Sequence, residues 1–118
     1  MQVSWCVELA VRPGCLESFE KLTDEMVAAT RAENGVLSYQ RFISDDGQTI
    51  YAHERYESSK AAADHLRKFD AAFGDRYASM VERKRFIVAG DPSDELKALL
   101  DIHQATYHQP FGPFPYWG

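Results

Sequence analysis

Positive charge is scarce in this chain, where 13 Lys and Arg face 18 Asp and Glu for a net charge of -5. Nucleic-acid surfaces concentrate positive charge. The densest basic runs here, RKFDAAFGDR and ERKR, are interrupted by acids, so no nucleic-acid partner is expected. Long apolar runs are missing too. No segment approaches the roughly 18 apolar residues of a membrane span, and MQVSWCVELAV has no basic leader followed by an apolar run and a cleavage site. The expectation is a cytoplasmic protein with no membrane partner. Cysteine is sparse: Cys6 and Cys15 make neither a zinc spacing nor a disulfide framework, which fits reduced thiols in the cytoplasm. No internal repeat occurs at solenoid periods. A length of 118 residues, 45% of them hydrophobic, suits one domain with a modest core.

What is present is periodicity. Val3, Trp5, Val7, Leu9 and Val11 alternate with smaller or polar residues, the signature of a half-buried strand. After the turn RPG, apolar residues recur at helical spacing from Cys15 to about Glu33 and stop near Asn34-Gly35. VLSYQRFI (36–43) and TIYAHERYE (49–57), joined across SDDGQ, read as a hairpin. Ser58 or Ser59 is placed to cap a second helix with the stripe Ala62, Leu66, Phe69 and Phe73. Gly74 is expected to interrupt it, leaving a short helical piece with Tyr77, Met80 and Val81. RKRFIVAG (83–90) reads as the last strand, and PSDELKALLDIH as a terminal helix starting at Asp91-Pro92. The order β-α-β-β-α-β is the ferredoxin-like split βαβ pattern, an α+β class. Residues 1–90 are expected to form the domain, and residues 91–118 a helix and aromatic, proline-rich tail rather than a second domain. Two helices cover one face of a four-stranded sheet, so a homodimer packed sheet to sheet is expected.

The stretch YAHERYESSKAAADHL (51–66) collects the candidate chemistry. His53 and Glu54 are adjacent on a strand and point to opposite faces, and no second histidine follows one helical turn later. His103 and His108 lie beyond the domain, so no metal site is expected. His65 flanks the apolar stripe and could be an exposed residue, a core-edge group bonded to a carbonyl, or a pocket base. Glu54 shares a face with Ala52 and Tyr56, where a carboxylate must be paired or have a raised pKa. Arg83 or Arg85 is the expected partner. Trp5, Val7, Leu9 and Tyr39 serve either as packing or as walls of a cavity. The tail aromatics Phe111, Phe114, Tyr116 and Trp117 either latch onto a partner, cover a pocket mouth or are disordered.

Taken together, VELAVRPGCLESFEKL, ENGVLSYQRF and IYAHERYESSKAAADHL resemble the antibiotic biosynthesis monooxygenase superfamily, dimeric α+β barrel proteins that include small quinol monooxygenases. The resemblance covers residues 3–90. In such proteins the third strand ends in Glu-x-Trp and a histidine follows on the next helix; the matching positions are Glu54, Tyr56 and His65. Tyrosine replaces the tryptophan, and Asp70 stands where many members carry a second histidine. The resemblance implies a pocket between helices and sheet in which a small aromatic quinol or polyketide-like phenol reacts with O2 without metal, flavin or other cofactor. It implies His65 as the base, Glu54 and Tyr56 as orienting groups, and Trp5, Val7, Tyr39 and Phe69 as walls of the substrate site. A neutral imidazole takes a phenol's proton near pH 7, and the phenolate reacts with oxygen far more readily. Two alternatives share the fold: a stress-related barrel that binds a small ligand without turnover, and an isomerase or haem-degrading relative. Haem degraders of this fold use an asparagine, a tryptophan and a helical histidine where this chain has Val7, Tyr56 and His65.

Overall fold

The computed structural model describes residues 1–112. In chain order it contains β1 (Val3–Val11), α1 (Leu16–Arg31), β2 (Val36–Ile43), β3 (Thr49–Tyr56), α2 (Ser59–Met80), β4 (Val81–Gly90), α3 (Asp94–Asp101) and β5 (Thr106–His108). The strands form one sheet in the order β2-β3-β1-β4-β5. The first four pair antiparallel, as the ferredoxin-like reading expects, and β5 joins β4 in parallel.

The inward face of β1 carries Val3, Trp5, Val7 and Leu9, which are buried against Phe19, Leu22 and Met26 of α1 and Ala62, Leu66 and Phe69 of α2. Burying such side chains supplies most of the stability of a domain this size. The opposite sheet face leaves Phe42 and Tyr51 half exposed. Among the described residues no helix is long and apolar enough to cross a membrane.

Four expectations are corrected. Gly74 does not interrupt α2, which runs unbroken for 22 residues, because Phe69, Phe73 and Tyr77 stay on one packed stripe across it. A Cβ at Gly74 would meet nothing closer than Asp70 Cβ at 4.0 Å. Gly74→Ala is therefore expected to raise stability by about 0.5–1 kcal/mol, read as a shifted urea midpoint. The fourth strand starts at Val81, two residues before the expected boundary, so Val81 belongs to β4 rather than to a helical piece. The terminal helix starts at Asp94, because the Ser93 hydroxyl accepts the Leu96 N–H and caps it there. The sheet has five strands rather than four, since Thr106–His108 pair with β4 beyond α3. Leu96 and Leu100 of α3 are fully buried in the same core.

Two irregularities set which side chains face inward. A bulge between β1 and β4, after Glu8 and before Leu9, skips Lys84. Phe86 and Arg83 therefore both lie on the helix side, three positions apart, where strict alternation would separate them. A second register shift near Leu37 puts Tyr39 and Arg41 of β2 opposite Glu54 and Ala52 on that same side. Of the tail, Phe111 is fully exposed; Phe114, Tyr116 and Trp117 lie outside the described residues.

Candidate functional site

Glu54 is the centre of a buried polar cluster. Trp5 faces it across the β1–β3 pair and donates from Nε1 to its Oε1 at 3.0 Å. Tyr56, two residues on and thus on the same face, donates its hydroxyl to Oε1 at 2.5 Å. Arg41, on β2, donates from Nη2 to Oε2 at 2.6 Å and lies 3.5 Å over the Tyr39 ring. The partner of Glu54 is therefore Arg41, not Arg83 or Arg85. The strand order explains this: β1 separates β3 from β4.

Burial alone would push the Glu54 carboxyl up. The Arg41 guanidinium, His65 and the hydrogen bonds from Tyr56 and Arg41 together outweigh it and hold the carboxyl below its ordinary value. Burial and the neighbouring Glu54 charge push the phenols of Tyr56 and Tyr39 up, so both remain protonated donors.

His65 is 3% exposed and projects from α2 into this cluster, which settles its three readings against an exposed helix residue. Its Nδ1 is 3.0 Å from Glu33 Oε1, and its Nε2 is 3.6 Å from Glu54 Oε1. Only the Glu33 carboxylate is within hydrogen-bond distance, so in the neutral ring the proton belongs on Nδ1 and Nε2 is the acceptor. Glu33 escaped the sequence reading because it lies past the end of α1, in the turn before Gly35. Gly35 has φ of +85, and a Cβ there would stand 2.7 Å from Ala61 Cβ. Only glycine permits this close approach of turn and α2, which carries Glu33 to His65.

Trp5, Val7, Tyr39, Arg41, Glu54, His65, Phe69 and Arg83 line a small, partly open cavity of about 20 Å³ with Leu66, Tyr77 and Phe86. This is room for a single water. The expected site residues His65, Glu54, Trp5, Val7, Tyr39 and Phe69 line it, whereas Leu9 does not, and Tyr56 reaches it only through its hydrogen bond to Glu54. Among the described residues, three polar atoms of the lining, Tyr39 Oη, Arg41 Nη1 and Arg83 Nε, are buried without a hydrogen-bond partner. Thr30 is near Tyr39 Oη but outside hydrogen-bond geometry. An outer cleft of about 160 Å³ between α1 and α2 shares His65 and Phe69 with the cavity and is also lined by Glu33 and Thr30. A cavity of about 150 Å³ holds a benzene ring, so the cleft has the volume for one aromatic ring.

No cluster of three or more His, Cys, Asp or Glu side chains that could hold a metal ion occurs among the described residues. His103, expected beyond the domain, instead packs against Phe86 at the back of the cavity.

Comparison with known proteins points the same way. Over 54 residues the chain is 39% identical to Rv0793 of Mycobacterium tuberculosis, provisionally named a monooxygenase; the match spans 46% of this chain and only 54% of that protein. The solved structure of Rv0793 superposes with a TM-score of 0.62 at 26% identity, over 80% of this chain and 98% of that one. MupZ from Pseudomonas fluorescens superposes with a TM-score of 0.82 at 19% identity, over 98% of this chain and 89% of that one. SnoaB from Streptomyces nogalater, described as a cofactor-independent oxygenase, gives 0.67 at 11% identity over 78% and 94%; the last two likenesses speak for the fold alone. Residues 5–70, which carry β1 through most of α2 with Glu54 and His65 among them, match the model of one family. The chain belongs to the antibiotic biosynthesis monooxygenase family.

Proposed function

We propose that the chain is a monooxygenase-like enzyme that oxidises a small aromatic quinol or phenol with O2 and needs no added cofactor. The observation that carries this reading is the buried Glu33–His65–Glu54 array at the junction of a ring-sized cleft and a water-sized cavity. With Nδ1 held by Glu33, His65 Nε2 takes the hydroxyl proton of a ring in the cleft. The resulting phenolate gives electrons to O2; one oxygen atom bonds to a ring carbon and the other leaves as water, so quinol and O2 yield hydroxyquinone and water. Arg41 and the neutral Tyr39 supply donors for the developing negative charge in a site walled mainly by apolar and aromatic side chains. The family membership supports the reaction class, and the provisional name of Rv0793 and the description of SnoaB accord with it. A second copy of the chain over the open sheet face, covering the exposed Phe42 and Tyr51 near its β2 edge, is part of this reading.

The first test is oxygen uptake with a panel of hydroquinones. Stimulated uptake by wild type is expected; rates no higher than those of His65→Ala on every substrate would overturn the assignment. Glu33→Ala is expected to lower kcat on the order of tenfold or more by freeing the tautomer and tilt of His65. Glu33→Gln, whose amide oxygen still accepts from Nδ1, should retain more activity in the same assay.

A second reading, proton transfer between carbons without oxygen, is favoured by one observation: Arg41, Glu54, His65 and Arg83 place four ionisable groups on the wall of a single small cavity. Turnover that continues under nitrogen would select it.

A further inference from the structure

The segment after β4 brings a second histidine behind the cavity wall, against Arg83 and Phe86. His103, just beyond α3, places Nδ1 2.8 Å from Arg83 Nη1 and Nε2 3.4 Å from Asp70 Oδ2. Its ring lies 6.4 Å from Phe86, inclined by 8°. A guanidinium only donates, so Nδ1 must be the acceptor and the ring proton must sit on Nε2, facing Asp70. Arg83 has no carboxylate partner among the described residues. It is held by His103 and by the faces of Tyr77, 4.9 Å away, and Phe86, 5.6 Å away, while its unpartnered Nε is buried in the cavity wall. A guanidinium on a flexible stem needs such contacts to keep one orientation, and the bulge at Lys84 has already turned it inward.

We propose that Asp70 and His103 are a positioning pair that holds Arg83 against the cavity while His103 is neutral and releases it when His103 is protonated. The proposal rests on the reading of this cavity as the reaction site. Its consequence is that His103 and Arg83, which lie outside the 5–70 match, set the acid limit of the chemistry. The charged groups facing His103 are Arg83 from β4 and Asp70 from α2; Asp101, at the end of α3, is occupied by the Tyr107 hydroxyl of β5. Burial and the Arg83 charge hold the imidazole below its ordinary value, against the pull of Asp70. The acceptor form is thus the one present at neutral pH. Acidification turns Nδ1 into a donor facing a donor, and the contact with Arg83 is lost.

The test is a pH titration by NMR of the isotopically labelled full chain, following the His103 ring nitrogens and the Arg83 Nε–H. His103 is expected as the Nε2–H tautomer at pH 7.5, and the Arg83 signal is expected to shift with the His103 midpoint. Arg83→Gln should raise that midpoint and Asp70→Asn should lower it. An Nδ1–H tautomer, or an Arg83 signal indifferent to His103, would overturn the proposal. With hydroquinone as the probe, His103→Gln should remove the inflection at that midpoint from the pH profile of oxygen uptake; an unchanged inflection contradicts the pair's role. If the NMR coupling is found but wild type consumes no oxygen with any hydroquinone, the pair stands and the quinol reading fails.

Discussion

Arg41→Met is expected to destabilise the protein by about 3–5 kcal/mol, because it leaves the Glu54 carboxylate buried without its cation. The thermal midpoint should fall on the order of 10 °C for a chain of this length. The pH dependence should change sign as well. In the wild type the folded pKa of Glu54 lies below its unfolded value. Its contribution to stability is therefore present above the unfolded value of about 4.3 and lost as pH falls through the folded pKa. Without Arg41, burial dominates and the folded pKa rises above the unfolded one. The variant should then gain stability relative to wild type on moving from pH 7 to pH 5, in urea titrations at the two values. A constant difference between the proteins would show that Arg41 is not what keeps Glu54 ionised in the fold.

His65→Gln is expected to lower kcat/KM for a hydroquinone about 10²–10⁴-fold, the usual contribution of a positioned base. The loss should lie mostly in kcat, since the ring is held by Phe69 and the cleft walls rather than by the imidazole. A loss confined to KM would make His65 a binding residue. The glutamine can still bond to Glu33, so the fold should survive, and an unchanged far-ultraviolet spectrum would separate chemistry from unfolding. An effect of less than threefold would show that His65 is not the base.

The parts of this architecture that are written in periodicity were legible in the chain. Alternation marked β1 and the inward set of β3, and the stripe through Leu66 and Phe69 marked α2, because these patterns are local. The register shifts were not legible. Nothing in RKRFIVAG announces that Lys84 bulges, yet that bulge puts Arg83 on the cavity wall. The partner of Glu54 was missed for a related reason, since the carboxylate pairs with the neighbouring strand and strand order is a property of the whole sheet. Gly74 misled because its intrinsic cost in a helix, about 1 kcal/mol, is small beside the burial of Phe69 and Tyr77 around it. Glu54 and His65 emerged from the resemblance. Glu33 and His103 did not, because each lies just past a helix end and reaches the site only through tertiary packing.

In the proposed reaction His65 drives incorporation of molecular oxygen into an aromatic ring. Mass spectrometry of the product formed from a hydroquinone under ¹⁸O2 tests it most directly, with wild type and His65→Gln compared side by side. One ¹⁸O atom is expected in each hydroxyquinone made by wild type and only background labelling with the variant. Unlabelled product, or equal labelling by both proteins, would contradict it.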